Sequence, residues 1–285
     1  MKKSKKSQGK KRRMGQIQHK RHEGLDTFDP ETGMDLSVAP EEILVLILSH
    51  LPAKTLLSDC QHVCRRWRAI VQSQAFWRFK CQGERNAITF YIGYLPTNFD
   101  WRRFYLKQPF NRNLIRNPCG AERLQHWNVH NGGDGWIVRT FDHEDLTGIK
   151  STFVSSYYWC EKSQTIDLLK EGFWEKILDE YQPEITVNDW FSAHRDCGGE
   201  YQMFVQLLGA NKHKIIKEYT TDLRTIPVLP FQQWDQITYI FRNYGPGVRY
   251  VKFKHIGKDI LFWKGHYGAW VTNTSVTIRL KSPEK

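Results

Sequence analysis

The run Phe262-Trp263-Lys264-Gly265 sets an aromatic plane, a cation and a flexible residue side by side. A pyranose has apolar C–H patches on its face and hydroxyls on its rim. A site for one needs an exposed ring beside a few fixed polar groups. This run supplies those parts, and glycines at 265 and 268 suit an open loop. In a strand, Phe262 and Lys264 would face one way and Trp263 the other, so a site using all three requires a loop. Read alone, Trp263 has two placements, a stacking platform or a core indole, and burial statistics favour the core.

Other residue groups offer weaker chemistry. His194, Asp196 and Cys197 hold the ingredients of thiol chemistry next to glycines. A base and its nucleophile usually come from distant segments, which argues against so local a pair. His126 and His130 are four apart, and Cys60, His62 and Cys64 cluster, but neither set gives four ligands at zinc spacing. Sugar hydrolysis would need two carboxylates flanking a cleft, and spacing identifies no such pair. No catalytic residue, metal or cofactor is expected.

Two kinds of element must position these residues. Pro40, Glu41 and Glu42 suit the first turn of a helix, and Ile43, Leu44, Ile47, Leu48 and Leu51 follow as one apolar stripe at helical spacing. Pro52 ends that helix, and Leu56, Leu57, Cys60, Val63, Cys64, Trp67 and Ile70 draw a second stripe. So small a helical block carries more apolar surface than its own core can cover, which points to a partner surface at the Leu-Pro turn. Residues 81–110 read as a connector rich in aromatics. From residue 111 to 281 the period changes to two, as at Tyr201, Met203, Val205 and Leu207 and at Val276, Ile278 and Leu280. Turn signals at 131–135, 197–199 and 245–247 separate such runs, which predicts an antiparallel sandwich. One helix is expected within it, with Leu169, Phe173, Trp174, Ile177 and Leu178 on one face.

Charge narrows the function classes. The net charge is +12, yet ten of the 42 Lys and Arg lie in residues 1–21, where there is no acid. The rest of the chain holds 32 basic against 30 acidic residues, so basicity belongs to the tail and no nucleic-acid groove is expected on the folded part. Residues 1–34 lack hydrophobic periodicity and read as a disordered basic tail. That tail is open to three readings: a solvated tail, a nuclear import signal, or an attachment to acidic membrane or RNA. No apolar run is long enough to span a bilayer. The six scattered cysteines read as reduced thiols of the cytosol or nucleus.

The stretch from Ile43 to Trp77 resembles an F-box. The resemblance rests on SHLP at Ser49–Pro52, the Leu56-Leu57 pair, VCRRWR at Val63–Arg68 and the closing Trp77. It departs at the opening, where Ala39-Pro40 stands in place of a common Leu-Pro. The resemblance assigns 35–80 to the F-box. It implies that Leu51, Pro52, Leu56, Val63, Cys64 and Trp67 dock a Skp adaptor, which bridges to cullin and RING subunits.

The second half, from about Asn113 to Leu280, is similar to the F-box-associated domain of the sugar-recognising F-box proteins. NLIRNPCG at Asn113–Gly120, NGGDGW at Asn131–Trp136, FVSSYYWC at Phe153–Cys160, YGPGVRYV at Tyr244–Val251 and FWKGHYGAWVTNTSV at Phe262–Val276 carry the match. The resemblance implies a small all-α F-box followed by a ten-stranded antiparallel β-sandwich of jelly-roll, galactose-binding-domain-like type with one or two helices, an α+β two-domain chain. It implies a cytoplasmic, non-catalytic ligase adaptor that grips the chitobiose core of N-linked high-mannose glycans on misfolded glycoproteins. The sugar contacts carried over are Tyr157, Asp196, Phe262, Trp263 and Lys264. Trp263 would stack on an N-acetylglucosamine ring, Asp196 and Lys264 would bind its polar groups, and Tyr157 and Phe262 would wall the site. Phe262 lacks the hydroxyl usual in the family, and the loop 139–150 is shorter, leaving Asp142 or Glu144 as substitutes. A sandwich that reads a protein or peptide surface is the alternative.

Overall fold

The computed structural model describes residues 36, 39–83, 93–141 and 146–280. The basic tail at 1–34, and Asp142 and Glu144, lie outside the described residues. The chain divides into two compact units, Met1–Leu44 and Val45–Lys285.

Helix α1 (Glu41–Ser49) starts at Pro40, whose carbonyl accepts the Leu44 N–H at 3.1 Å. Leu44 and Leu48 are buried one turn apart, whereas Ile43, Leu46 and Ile47 are exposed, so the apolar stripe is wider than the buried face. Pro52 restarts the chain into α2 (Ala53–Thr55), which continues through a π turn at Leu56–Cys60 into α3 (Gln61–Val63). Cys64 is extended and divides the second stripe, and its sulfur accepts the Trp67 N–H at the start of α4 (Arg65–Gln72). The Ser73 hydroxyl accepts the Phe76 N–H and caps α5 (Gln74–Gly83). Trp77 is fully buried and its indole N–H donates to the Val71 carbonyl at 2.7 Å.

The connector contains α6 (Trp101–Lys107), capped by Asp100 accepting the Arg103 N–H at 2.9 Å. Its aromatics explain their own abundance: Tyr105 packs on Trp77 at 5.2 Å and Phe99 on Trp174 at 4.8 Å, joining the helical block to the sandwich.

Eleven strands follow: β1 (Asn128–His130), β2 (Ile137–Thr140), β3 (Ser151–Val154), β4 (Cys160–Asp167), β5 (Glu184–Ala193), β6 (Gly199–Leu208), β7 (Ile215–Thr220), β8 (Arg224–Ile226), β9 (Asp235–Phe241), β10 (Tyr250–Lys258) and β11 (Ala269–Arg279). One sheet runs β1-β4-β10-β6-β7 with β8 also on β6, and the other runs β2-β3-β11-β5-β9. The fold class is therefore the expected one, and the described residues alone hold one strand more than the resemblance implies. The period-two runs face inward: Tyr201, Met203, Val205, Leu207, Val251, Phe253, Val276 and Ile278 are all fully buried. The helix expected through Leu169 is shorter. Residues 168–172 turn, with Gly172 at positive φ, and helical backbone covers only 175–181.

The space between the sheets is not wholly apolar. Asp189 on β5 accepts hydrogen bonds from Tyr201 (2.5 Å), His255 (2.6 Å) and Thr274 (2.7 Å), with all four side chains buried. A carboxylate with three donors is well satisfied there, and the network ties β6 and β10 of one sheet to β5 and β11 of the other. Beside it, the Lys162 ammonium lies 3.4 Å and 3.6 Å from the ring centroids of Trp127 and Phe153. Burial pushes Lys162 well below the usual lysine range, and Asp189 opposes that push.

Candidate functional site

One end of the sandwich gathers the loops that carry the sugar-site candidates. Residues 259–268 join β10 to β11, 155–159 join β3 to β4, 194–198 join β5 to β6, and 131–136 join β1 to β2. Phe262, Trp263 and Lys264 thus lie in a loop, the condition set for all three to serve one site. Trp263 is 45% exposed and Phe262 59% exposed, so the indole lies at the surface and not in the core.

Asp259 shapes this loop. Its carboxylate is buried and accepts the backbone N–H groups of Phe262 at 2.6 Å and Trp263 at 2.9 Å. Phe262 takes a positive φ of 61°, which turns two successive N–H groups toward one acceptor. Two charge-assisted bonds hold a turn that would otherwise splay its aromatics into solvent. Ser156 fixes the other side. Its hydroxyl donates to the Gly265 carbonyl at 2.6 Å and accepts the Asp134 N–H at 3.0 Å. Gly268 has no room for a side chain, since an added Cβ would meet Ser155 Oγ at 2.3 Å.

Ring contacts connect the candidates. Phe262 stands edge-on to Tyr157 at 5.4 Å, so two of the candidates are in contact. Trp263 meets Tyr267 at 5.9 Å, Tyr267 meets His194 at 5.1 Å, and His194 Nδ1 lies 3.8 Å from the exposed Asp196 carboxylate. A chain of contacts therefore runs from the indole to Asp196. Lys264 is exposed on the same loop. Sequence reasoning missed Asp259, Ser156, Tyr267 and His194 as supports. An aspartate three residues before a turn was the available signal for Asp259.

The thiol reading fails on environment. Cys197 is fully buried and burial raises its pKa, the opposite of an activated nucleophile. His194 is pushed down by burial, which Asp196 only partly opposes.

In the helical block the docking candidates separate. Val63 is 61% exposed, Pro52 and Cys64 are exposed, and Leu51 and Trp67 are half-buried. Leu56 is fully buried, so its side chain is core and offers no surface to a partner. Leu46 and Ile47 of α1, which were not among the docking candidates, are exposed instead. Among the described residues no helix is long and apolar enough to cross a membrane.

The helical block with its exposed apolar face and the sandwich with its aromatic loop end match the two parts of an F-box substrate receptor of cullin–RING ubiquitin ligases, as two family models show. Residues 40–83 match the F-box-like family and residues 105–278 match the F-box associated region. Mouse F-box only protein 27 is 41% identical over 88% of this chain and 94% of its own length. Human F-box only protein 44 is 38% identical over 86% and 96%, and F-box only protein 2 of Bos taurus is 40% identical over 85% and 84%. The chain belongs to the F-box only proteins that carry an F-box associated region. A carbohydrate-binding module solved with β-1,4-galactotriose overlays 59% of this chain and all of its own at 12% identity, with a TM-score of 0.42, too slight a likeness to bear on function.

Proposed function

We propose that the sandwich binds N-linked high-mannose glycans through their chitobiose core and presents misfolded glycoproteins for ubiquitination in the cytoplasm. The observation that carries this reading is Trp263, an indole 45% exposed on a loop pinned by a buried carboxylate. An exposed ring held rigid loses little entropy on stacking, which is what a sugar platform needs. Asp196 supplies an acceptor and Lys264 a donor, while Tyr157 and Phe262, in contact with each other, wall the sugar. The helical block docks the Skp adaptor through Leu51, Pro52, Val63, Cys64 and Trp67, joined by Leu46 and Ile47, and cullin and RING subunits follow. Ubiquitin transfer falls to those subunits. Calorimetric titration of chitobiose into the chain tests the glycan reading, with saturable binding expected and its loss expected in Trp263→Ala.

A protein-surface reading has one observation of its own. A cleft of about 540 Å³ opens between β8 and β9, floored by Phe191 and Ile237, and the exposed Val228 and Phe231 lie in the segment joining those strands. Folded protein that binds no glycan but retains a client through this cleft would favour it.

A further inference from the structure

The aromatic surface at the loop end extends past the five sugar-site positions. Tyr158 is 53% exposed and Trp159 is 39% exposed, both on the loop between β3 and β4. Phe262 packs edge-on against Tyr158 at 4.8 Å, so Tyr158 adjoins the Trp263 loop, and Trp159 follows it in the chain. The backbone beneath is tightly fitted: a Cβ on Gly132 would meet the Trp159 carbonyl oxygen at 2.3 Å. That loop is held in place while its rings are left in water. Leaving two large apolar side chains exposed side by side forgoes their burial and makes a feature that packing does not explain.

Polar groups of the right kind stand beside these rings. The alternation of β10 puts Lys258 on the outward face of its sheet, one position past the Gly257 and Cys160 pair. Its ammonium lies 5.1 Å from the Trp159 ring centroid and 3.0 Å from Glu200 Oε2. Lys258 and Glu200 are also register partners across β10 and β6. The pair therefore offers a donor and an acceptor at fixed spacing, the arrangement that two neighbouring hydroxyls of a hexose require. Among the described residues, neither the Tyr158 hydroxyl nor the Trp159 indole N–H has a hydrogen-bond partner.

We propose that Tyr158, Trp159, Lys258 and Glu200 form a second carbohydrate subsite, which takes hexose residues of the same glycan beyond the pair held at Trp263. This rests on the glycan reading and extends it. The glycan crosses from the loop end over the rim of the sheet, with one hexose face against the exposed ring surface and its hydroxyls on the Lys258–Glu200 pair. The carbohydrate, and not polypeptide, is favoured because the rings adjoin the sugar platform and are bordered by a fixed ion pair. An apolar peptide side chain would leave that pair unused.

The test titrates the full chain with two probes, chitobiose and a high-mannose glycan that contains it. Trp159→Ala is expected to weaken the high-mannose glycan about tenfold, the loss of one stacking contact, while chitobiose affinity stays within about twofold. Glu200→Gln should weaken the larger probe in the same selective way, and it decides the matter if Trp159→Ala folds poorly. Equal affinities of wild type and both variants for the high-mannose glycan would overturn the subsite, while chitobiose binding by wild type would keep the glycan reading. Loss of both probes in Trp159→Ala would place the indole in the inner site and also overturn it. Failure of wild type to bind either probe would remove the glycan reading and the subsite with it.

Discussion

Asp259 holds the backbone N–H of Trp263 at 2.9 Å while being only 1% exposed itself. The buried carboxylate never reaches the surface at which the indole acts, yet it sets where that surface is. Asp259→Asn keeps the shape and removes the charge from both loop bonds. The expected outcome is a stability loss of about 1–3 kcal/mol together with weakened chitobiose binding, by thermal melting and calorimetry. Wild-type affinity in this variant would show that the loop holds its shape without the carboxylate.

Trp263→Ala separates recognition from packing. With the ring nearly half in water, truncation should change stability by no more than about 0.5 kcal/mol while abolishing chitobiose binding. A large fall in melting temperature would mean that the indole packs more than it recognises.

The buried network makes stability depend on pH. Burial, helped by the nearby Lys162, pushes His255 down to about 4. An unfolded histidine takes its proton near pH 6.5, so between those values the unfolded state binds more protons and stability falls as pH falls. The full difference corresponds to about 3 kcal/mol. Denaturant unfolding at steps from pH 7 to pH 4 should show this decline, and His255→Gln should flatten it.

Lys162 acts in the same direction at higher pH. Its folded pKa is pushed down, so between that lowered pKa and the ordinary lysine range the unfolded chain binds the extra proton and stability should rise with pH. Lys162→Met fills similar volume without the ammonium and should abolish that rise, with melting temperature at neutral pH unchanged or higher. A strongly destabilised methionine variant would show that the ammonium between Trp127 and Phe153 holds the core together.

The helical block gives a contrast between two residues of one stripe. Leu56→Ala removes a fully buried side chain and should cost about 2–5 kcal/mol. Val63→Asp alters an exposed position and should leave the melt unchanged while preventing co-purification with the Skp adaptor. Trp67→Ala is expected to lose the adaptor as well. Recovery of the adaptor with both Val63→Asp and Trp67→Ala would move the docking surface elsewhere.

The sequence by itself determined the elements and their inward faces. Val205, Leu207, Phe253 and Ile278 could be placed in the core because a strand alternates sides, and a local period needs no knowledge of the partner strand. The Phe262-Trp263-Lys264 run could be read from its letters either as a loop or as a strand. Tertiary structure decided that it is a loop, since the loop conformation depends on Asp259 and on Ser156, the latter more than a hundred residues away in the chain. It also decided which members of an apolar stripe are covered: Leu56 and Val63 share a stripe by spacing, yet one is core and the other is surface. The meeting of Asp189, Tyr201, His255 and Thr274 lay beyond any periodicity, because it depends on how two sheets face each other. Burial is a property of what packs against a residue, and that information is spread over the whole chain.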